Sequence, residues 1–316
     1  MQFYNAQKEA SLEKEVLAQT MQEDFAEFWE AAVADLRKKP LSIERKRLST
    51  PYDKSITTDE ITFNTHDATV IHAYFSYPND RNGKKLPCVA RFHGGSGYKK
   101  IYPDILATGV CCFAIDVRSQ GGTSVDQAVY TSGDRMGGLM TRGVLDKNEF
   151  YMKNIYLDAV RTIDVIASLD EVDAEKIVTY GESQGGALSI AAAALSGKVK
   201  KCYSAITSYC CLKQRTENAS GVFNSTNAFL CRYPSLTDTV MKTLSYFDII
   251  NLVSLLRVPT DFCLGLADPI CLPPFVYSAY HHTQAEKTLN MFPFVPHVVP
   301  EEYFWKLHAE FAALCQ

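Results

Sequence analysis

One stretch of the chain carries the residue types of covalent hydrolysis. The apolar run Ile177 to Tyr180 leads into Gly181, Glu182, Ser183, Gln184 and Gly185, and a small-residue segment from Ala187 to Leu195 follows. Strand, G-x-S-x-G and helix in that order is the setting of a nucleophile elbow, where a sharp turn lifts a serine hydroxyl above the end of a sheet. Gly181 and Gly185 let the turn be sharp and its neighbours come close. The helix that begins after Ser183 favours negative charge developing at its N-terminus. A serine N-cap in a glycine-rich turn would use the same residue types, so the assignment rests on the surrounding pattern.

A serine hydroxyl is a weak nucleophile at neutral pH and needs a histidine base, which in turn needs an acid to fix its tautomer. The expected chain order is Ser, acid, His. Downstream of Ser183 lie His281, His282, His297 and His308. His281 and His282 fall in an amphipathic segment after Pro273, and His308 lies in a terminal helix with Phe304, Leu307 and Phe311, which suits structural or exposed roles. His297 follows the strand-like run Leu289, Met291, Phe292, Phe294 and sits in a loop bounded by Pro296 and Pro300. The run Phe262 to Ala267 similarly ends in Asp268 and Pro269. Asp268 and His297 are therefore the candidate acid and base, against the plainer readings of a turn-forming Asp before Pro and an ordinary loop histidine.

Acyl transfer also needs two backbone N–H donors for the oxyanion, one from the residue after the nucleophile and one from a loop after an early strand. Gln184 supplies the first. The run Phe92, His93, Gly94, Gly95, Ser96, Gly97 has the H-G-G form of such a loop, and Gly95 is the second candidate. A phosphate cradle fits less well, because no G-K-[ST] follows and no G-x-G-x-x-G helix opens there.

These residues need a sheet to hold them. Short apolar runs at Cys88 to Phe92, Val110 to Ile115, Ile177 to Tyr180, Cys202 to Ile206 and Phe262 to Leu264 suit parallel strands buried on both faces. Helical patterns alternate with them, with Ile155, Ala159, Ile163 and Ile166 on one face, which implies βαβ units and helices on both sides of a mostly parallel sheet. Ahead of them, Ile61 with Phe63, and Ile71, Ala73, Phe75 and Tyr77, alternate at period two and predict two antiparallel, half-buried strands. Residues 1–50 read as a helical extension, with Phe25, Phe28, Trp29, Ala32, Val33 and Leu36 as one apolar stripe. Two stretches, 123–151 with Gly133, Gly137, Gly138 and Gly143, and 212–246, are too long for ordinary connections and are assigned to substrate or subunit contacts. The 316 residues are expected to form a single α/β domain with these insertions.

Composition narrows the partners. Lys plus Arg total 32 against 36 Asp plus Glu, a net charge of −4, too small and mixed to neutralise a phosphate backbone, so nucleic acid is not expected. Met1 to Ala10 has no basic stretch followed by an apolar run, and no window reaches the roughly 18 apolar residues of a membrane span. No membrane partner and a cytoplasmic location are expected. The ten cysteines show no C-x-x-C spacing and read as buried free thiols rather than a disulfide framework or zinc site.

The sequence resembles the acetyl xylan esterase and cephalosporin-C deacetylase group, carbohydrate esterase family seven. Asp116 to Gly122 is similar to its R-x-Q-G segment, Gly181 to Gly186 has its G-x-S-Q-G-G form, and Met140 to Asp146 is similar to its insertion loop. Thr243 to Asp248, Gly265 to Pro273 and the helix with Asp24, Phe25, Phe28 and Trp29 match as well, so the resemblance covers essentially the whole chain. It implies an α/β-hydrolase fold, a Ser183, Asp268, His297 triad, oxyanion donors at Gln184 and Gly95, and Arg118 and Gln120 as organisers of the nucleophile loop. It also implies a homo-hexamer with active sites facing an internal cavity, and no metal or organic cofactor. The expected substrates are small acetylated carbohydrates or related esters. A serine peptidase, a longer-chain esterase and a non-catalytic ester- or sugar-binding protein remain alternatives on the same fold. Two departures stand out: Gly95 replaces a Tyr that lines the acetyl pocket, leaving room for a larger acyl group, and Val298 replaces a Glu beside the base, weakening acid support there.

Overall fold

The computed structural model describes residues 2–133 and 138–316, so Gly137 of the first insertion lies outside the described residues. The strands are β1 (Glu44–Arg47), β2 (Ile56–Asn64), β3 (Val70–Pro78), β4 (Leu86–Phe92), β5 (Cys111–Ile115), β6 (Val172–Glu182), β7 (Lys201–Ala205), β8 (Thr260–Gly265) and β9 (Lys287–Phe292). They form one sheet in the order β1-β2-β3-β5-β4-β6-β7-β8-β9. Pairing is antiparallel from β1 through β3 to β5 and parallel from β5 through β4 to β9. This is the α/β-hydrolase arrangement.

The parallel strands bury both faces, and their period-two alternation splits the core. Cys88, Ala90 and Phe92 of β4, with Cys111, Phe113 and Ile115 of β5, join the core that packs on the helices Tyr151–Ile166 and Gln184–Ser196. Val89 and Cys112 point the other way, to a second core with Leu106, Leu307 and Phe311 from the helices Pro103–Leu106 and Glu301–Leu314. Predominantly apolar runs follow from this double coverage, and the polar residues within them, such as Arg91 and Asp261, are buried as well.

The structure differs from the sequence expectation in four places. The N-terminal helical pattern covers Gln2–Glu13 and Phe25–Arg37 but stops there, and Glu44–Arg47 is strand. Those four residues are all charged and exposed, so no hydrophobic alternation marks the strand; Arg45 and Arg47 instead anchor it by ion pairs to Asp59 of β2 at 2.6 and 2.8 Å. The β6 strand begins earlier than expected, at Val172, and its pairing with β4 shifts register between Leu86 and Cys88. The β9 strand ends at Phe292, and Phe294 lies beyond it with φ of 65° and 83% exposure. All ten cysteines are free, eight of them buried, whereas Cys231 and Cys315 are exposed. No helix among the described residues is long and apolar enough to cross a membrane.

The apolar stripe of Phe25–Arg37 packs onto the body of the protein. Trp29 is 1% exposed, lies within 5.6 Å of Phe247 and 5.9 Å of Tyr156 between ring centroids, and donates from Nε1 to Tyr246 O at 3.0 Å. Trp29→Ala removes that packing and leaves a cavity, and should cost about 3–5 kcal/mol in denaturant unfolding. A cost below about 1 kcal/mol would show that this helix lies outside the cooperative unit.

Candidate active site

Because β4 to β9 run parallel, their C-terminal ends open on one edge of the sheet, and the loops carrying Gly95, Ser183, Asp268 and His297 all leave from that edge. Strand order reverses at β4, whose neighbours are β5 and β6, and ligands of open α/β sheets bind at such a switch point.

Ser183 stands between β6 and the helix Gln184–Ser196 with φ of 55° and ψ of −119°, a conformation that costs a non-glycine residue energy. The turn is held by its surroundings. A Cβ at Gly181 would sit 2.2 Å from the Gly185 backbone, and one at Gly185 would sit 2.1 Å from Phe92 O. Ser183 N–H donates to Ala205 O at 2.9 Å, and Ser183 O accepts from Ser208 N at 3.0 Å. Beneath the elbow, buried Arg91 pairs with Glu182, the residue before the nucleophile, at 2.8 Å and lies over the ring of Tyr180.

The Gly94–Gly95 loop runs beside the elbow, since a Cβ on Gly94 would be 3.9 Å from Ser183 Cβ. His93 pins it: Nε2 accepts from Val117 N at 3.0 Å, so Nδ1 carries the proton and donates to Gly94 O at 2.7 Å. Burial holds the His93 pKa below its ordinary value, consistent with this neutral ring. Gln120 then joins the loop to the nucleophile helix. Its Oε1 accepts from Ser96 N at 2.9 Å and from Gln184 Nε2 at 3.0 Å, while its Nε2 donates to Gln184 Oε1 at 2.7 Å. Tyr209 Oη donates to the same Gln184 oxygen at 2.7 Å. Gln184 opens its helix, so its own N–H is among those left without an intrahelical acceptor.

Arg118 acts one layer further out. It is fully buried and pairs with Asp158 at 2.6 Å, Asp67 at 2.7 Å and Asp126 at 3.0 Å, while Tyr151 Oη donates to its carbonyl at 2.7 Å. Burial raises the Asp158 pKa to about 6 despite the guanidinium. Arg118 thus ties the β2–β3 turn and the first insertion to the helix Tyr151–Ile166, and Gln120, two residues on, reaches the elbow directly.

Asp268 and His297 meet across the loops after β8 and β9. His297 Nδ1 lies 2.8 Å from Asp268 Oδ2, and Asp268 Oδ1 accepts from the N–H groups of Ile270 and Cys271 at 2.8 and 2.9 Å. The bond to Asp268, and a second interaction with the Cys271 thiol, raise the His297 pKa above its ordinary value. Val298 is 53% exposed, and the imidazole takes its acid support from Asp268. With Nδ1 engaged by Asp268, Nε2 is the other ring nitrogen able to take a proton. Among the described residues no hydrogen bond joins Ser183 Oγ to His297; such bonds are often long in unliganded enzymes and tighten with substrate. Asp268, Cys271 and His297 also bring ligand atoms of three metal-binding types within 4.8 Å of one another. Both carboxylate oxygens are already taken by N–H donors, which suits an acid–imidazole pair.

A pocket of about 410 Å³ opens at Ser183, Gln184 and Gly95. Gly138, Leu139 and Met140 of the first insertion and Val222 and Asn224 of the second line it. A Cβ at Gly95 would meet nothing within 4 Å, which leaves the predicted space open. The other histidines lie elsewhere: His281 pairs with Glu13 at 3.3 Å, His282 Nε2 is 2.7 Å from Leu17 O, and His308 pairs with Asp104 at 3.3 Å. The roles of Arg91, Tyr209 and Arg215 around this pocket have no local sequence signature, whereas His93 was already part of the H-G-G run.

The acetyl xylan esterase (AXE1) family model matches residues 9–313. The chain belongs to the acetyl xylan esterase family. It is 31% identical to the acetyl xylan esterase from Paenibacillus sp. R4, with a TM-score of 0.90 over 96% of this chain and 98% of that one. It is 27% identical to acetyl xylan esterase 1 from Thermoanaerobacterium sp. JW/SL YS485, again at a TM-score of 0.90, covering 97% and 98% of the two chains. The acetyl esterase Axe7A of Xylanibacter ruminicola is 25% identical over 288 residues, which are 89% of this chain; the chain spans 64% of that relative's length.

Within this family member, Gln120 is the side chain that bonds both the Gly95–Ser96 loop and the nucleophile helix. Gln120→Ala should lower kcat about a hundredfold on any ester that the site turns over, because displacements near 1 Å have effects of that size. The thermal midpoint should move little. A variant with full kcat would show that the loop holds its position without this amide.

Proposed function

We propose that the chain is a serine esterase that removes acetyl groups from small carbohydrate-linked esters, including acetylated xylo-oligosaccharides and cephalosporin C-like esters. The observation that carries this reading is the hydrogen-bonded Asp268–His297 pair at the same sheet edge as the Ser183 elbow, in a chain of the acetyl xylan esterase family. Relatives of similar length are acetyl xylan esterases by name, which supports acetyl as the acyl group.

Ser183 Oγ attacks the acetyl carbonyl while His297 Nε2 takes its proton, and Asp268 holds the ring with Nδ1–H inward and stabilises the imidazolium. The N–H groups of Gln184 and Gly95 receive the oxyanion; in serine hydrolases one such donor is worth about a hundredfold to a thousandfold in rate. His297 then passes the proton to the leaving alkoxide. Water, deprotonated by the same nitrogen, attacks the acetyl-enzyme and releases acetate. The open space at Gly95 favours a second reading, in which acyl groups longer than acetyl are also accepted.

Hydrolysis of 4-nitrophenyl acetate, butyrate and octanoate, with release of acetate from acetylated xylo-oligosaccharides and cephalosporin C in parallel, tests both readings. Ser183→Ala should reduce kcat about a millionfold. Acetate should be preferred, and preference for octanoate would move the substrate class to longer acyl chains. An undiminished rate in Ser183→Ala would sink the mechanism.

The pH profile gives a separate check. Protonated His297 cannot act as a base, and Asp268 raises its pKa, so kcat/KM should climb with pH through an inflection above the ordinary histidine value. In Asp268→Asn the bond that favours the imidazolium is lost. The inflection should move down and the plateau should fall by about ten-thousandfold, as for a triad with the wrong tautomer. An unmoved inflection would mean that another group titrates.

A further inference from the structure

Arg215 lies in the helix Leu212–Glu217 at the start of the second insertion and is 2% exposed. Its Nε donates to Cys210 O at 2.9 Å and its Nη1 to Ile270 O at 3.0 Å, and the guanidinium lies 5.4 Å from the Phe275 ring centre. Nη2 has no hydrogen-bond partner, and among the described residues no carboxylate forms an ion pair with this side chain. The buried carboxylate of Asp248 makes no hydrogen bond to it, since its oxygens accept from the N–H groups of Cys211, Leu212 and Ile250, although the two charges lie close enough to interact.

Buried Arg91 and Arg161 also have one nitrogen, Nε, without a partner, so what sets the guanidinium groups apart is their ion pairing and their place. Arg91 pairs with Glu182, and Arg118 pairs with three carboxylates. Among the described residues Arg161 also forms no ion pair, but it lines a separate groove beside Asp164. Arg215 lines the pocket that holds Ser183, and among the described lining residues it alone carries a formal charge. Buried charges are normally paired, and a buried donor without an acceptor is unfavourable. The pocket is therefore lined by one formal charge, carried by a buried side chain whose Nη2 donor has no acceptor among the described residues.

We propose that Arg215 forms a subsite for a carboxylate carried by the ester substrate, an inference that rests on ester hydrolysis at Ser183. A carboxylate oxygen accepting from Nη2 satisfies the donor and offsets the charge in a site shielded from bulk water. A neutral ester group supplies no charge, and an alkyl group in the same place leaves the donor unspent as well. The carboxylate can arrive on the acyl side, where Gly95 leaves room, or on the alcohol side.

The wild-type enzyme is tested with two matched pairs. The acyl arm compares mono-4-nitrophenyl succinate with 4-nitrophenyl butyrate, and the alcohol arm compares 4-acetoxybenzoate with its methyl ester, each rate being corrected for spontaneous hydrolysis. In one arm kcat/KM should favour the charged ester about tenfold or more, chiefly through KM. Arg215→Gln should abolish that preference, measured as the ratio within the variant so that a general loss of activity cancels. Arg215→Lys should keep part of it. Neutral esters favoured in both arms, or a ratio unchanged in Arg215→Gln, would overturn the subsite. If neither variant folds, inhibition of wild-type 4-nitrophenyl acetate hydrolysis decides: monomethyl succinate should inhibit competitively at least about tenfold better than dimethyl succinate, and equal inhibition overturns the proposal. Failure of the esterase reading looks different, since wild type would then turn over no neutral ester. In that event, calorimetric titration of Ser183→Ala with monomethyl succinate reads the subsite directly, with absence of binding counting against it.

Discussion

The contact on which the site depends is backbone against backbone. At the start of the Gln184–Ser196 helix, Gly185 approaches the carbonyl of Phe92 so closely that even a Cβ would lie 2.1 Å away, and Gly181 meets Gly185 in the same way. This approach brings the end of β6 and the end of β4 together. It therefore sets Ser183 and the Gly94–Gly95 loop side by side. The strained backbone at Ser183 persists because the hydrogen bonds to Ala205 and Ser208 and the Arg91–Glu182 pair surround it with interactions that no relaxed turn could keep.

Around that contact the polar groups are arranged in layers. Gln120 and Gln184 exchange amide hydrogen bonds next to the reacting atoms, so both loops share one rigid reference. Behind them Arg118 gathers Asp67, Asp126 and Asp158, carboxylates from three separate parts of the chain. A buried cation with three acidic partners is unforgiving of displacement, since moving one partner leaves charge uncompensated. The first insertion is held in place by this cluster through Asp126, and it can then present Leu139 and Met140 to the pocket.

Both departures from the family pattern acquire a physical meaning. Gly95 keeps its backbone N–H in the loop beside Ser183 and leaves open space where a side chain would stand. Val298 takes no part in orienting the base, because Asp268 Oδ2 reaches His297 Nδ1 and its other oxygen is fixed by two backbone N–H groups. The acid is thus held by its own loop, whichever residue stands after the histidine.

The sequence by itself determined the elements and the catalytic candidates. Doubly buried strands are mostly apolar, an elbow must have small residues at Gly181 and Gly185, and a proline-bounded loop after a strand isolates His297 from the helical His281, His282 and His308. These are local requirements, so they leave local marks. Strand β1 left none, because its four exposed charged residues are held by ion pairs to β2 rather than by a buried face. Tertiary structure alone decided that Arg91 would brace Glu182, which two loops Gln120 would join, and that Arg215 would line the pocket with one N–H donor unspent. Each of these depends on partners far apart in the chain, and whether a buried charge is neutralised is a property of the packed surroundings, which no local pattern encodes.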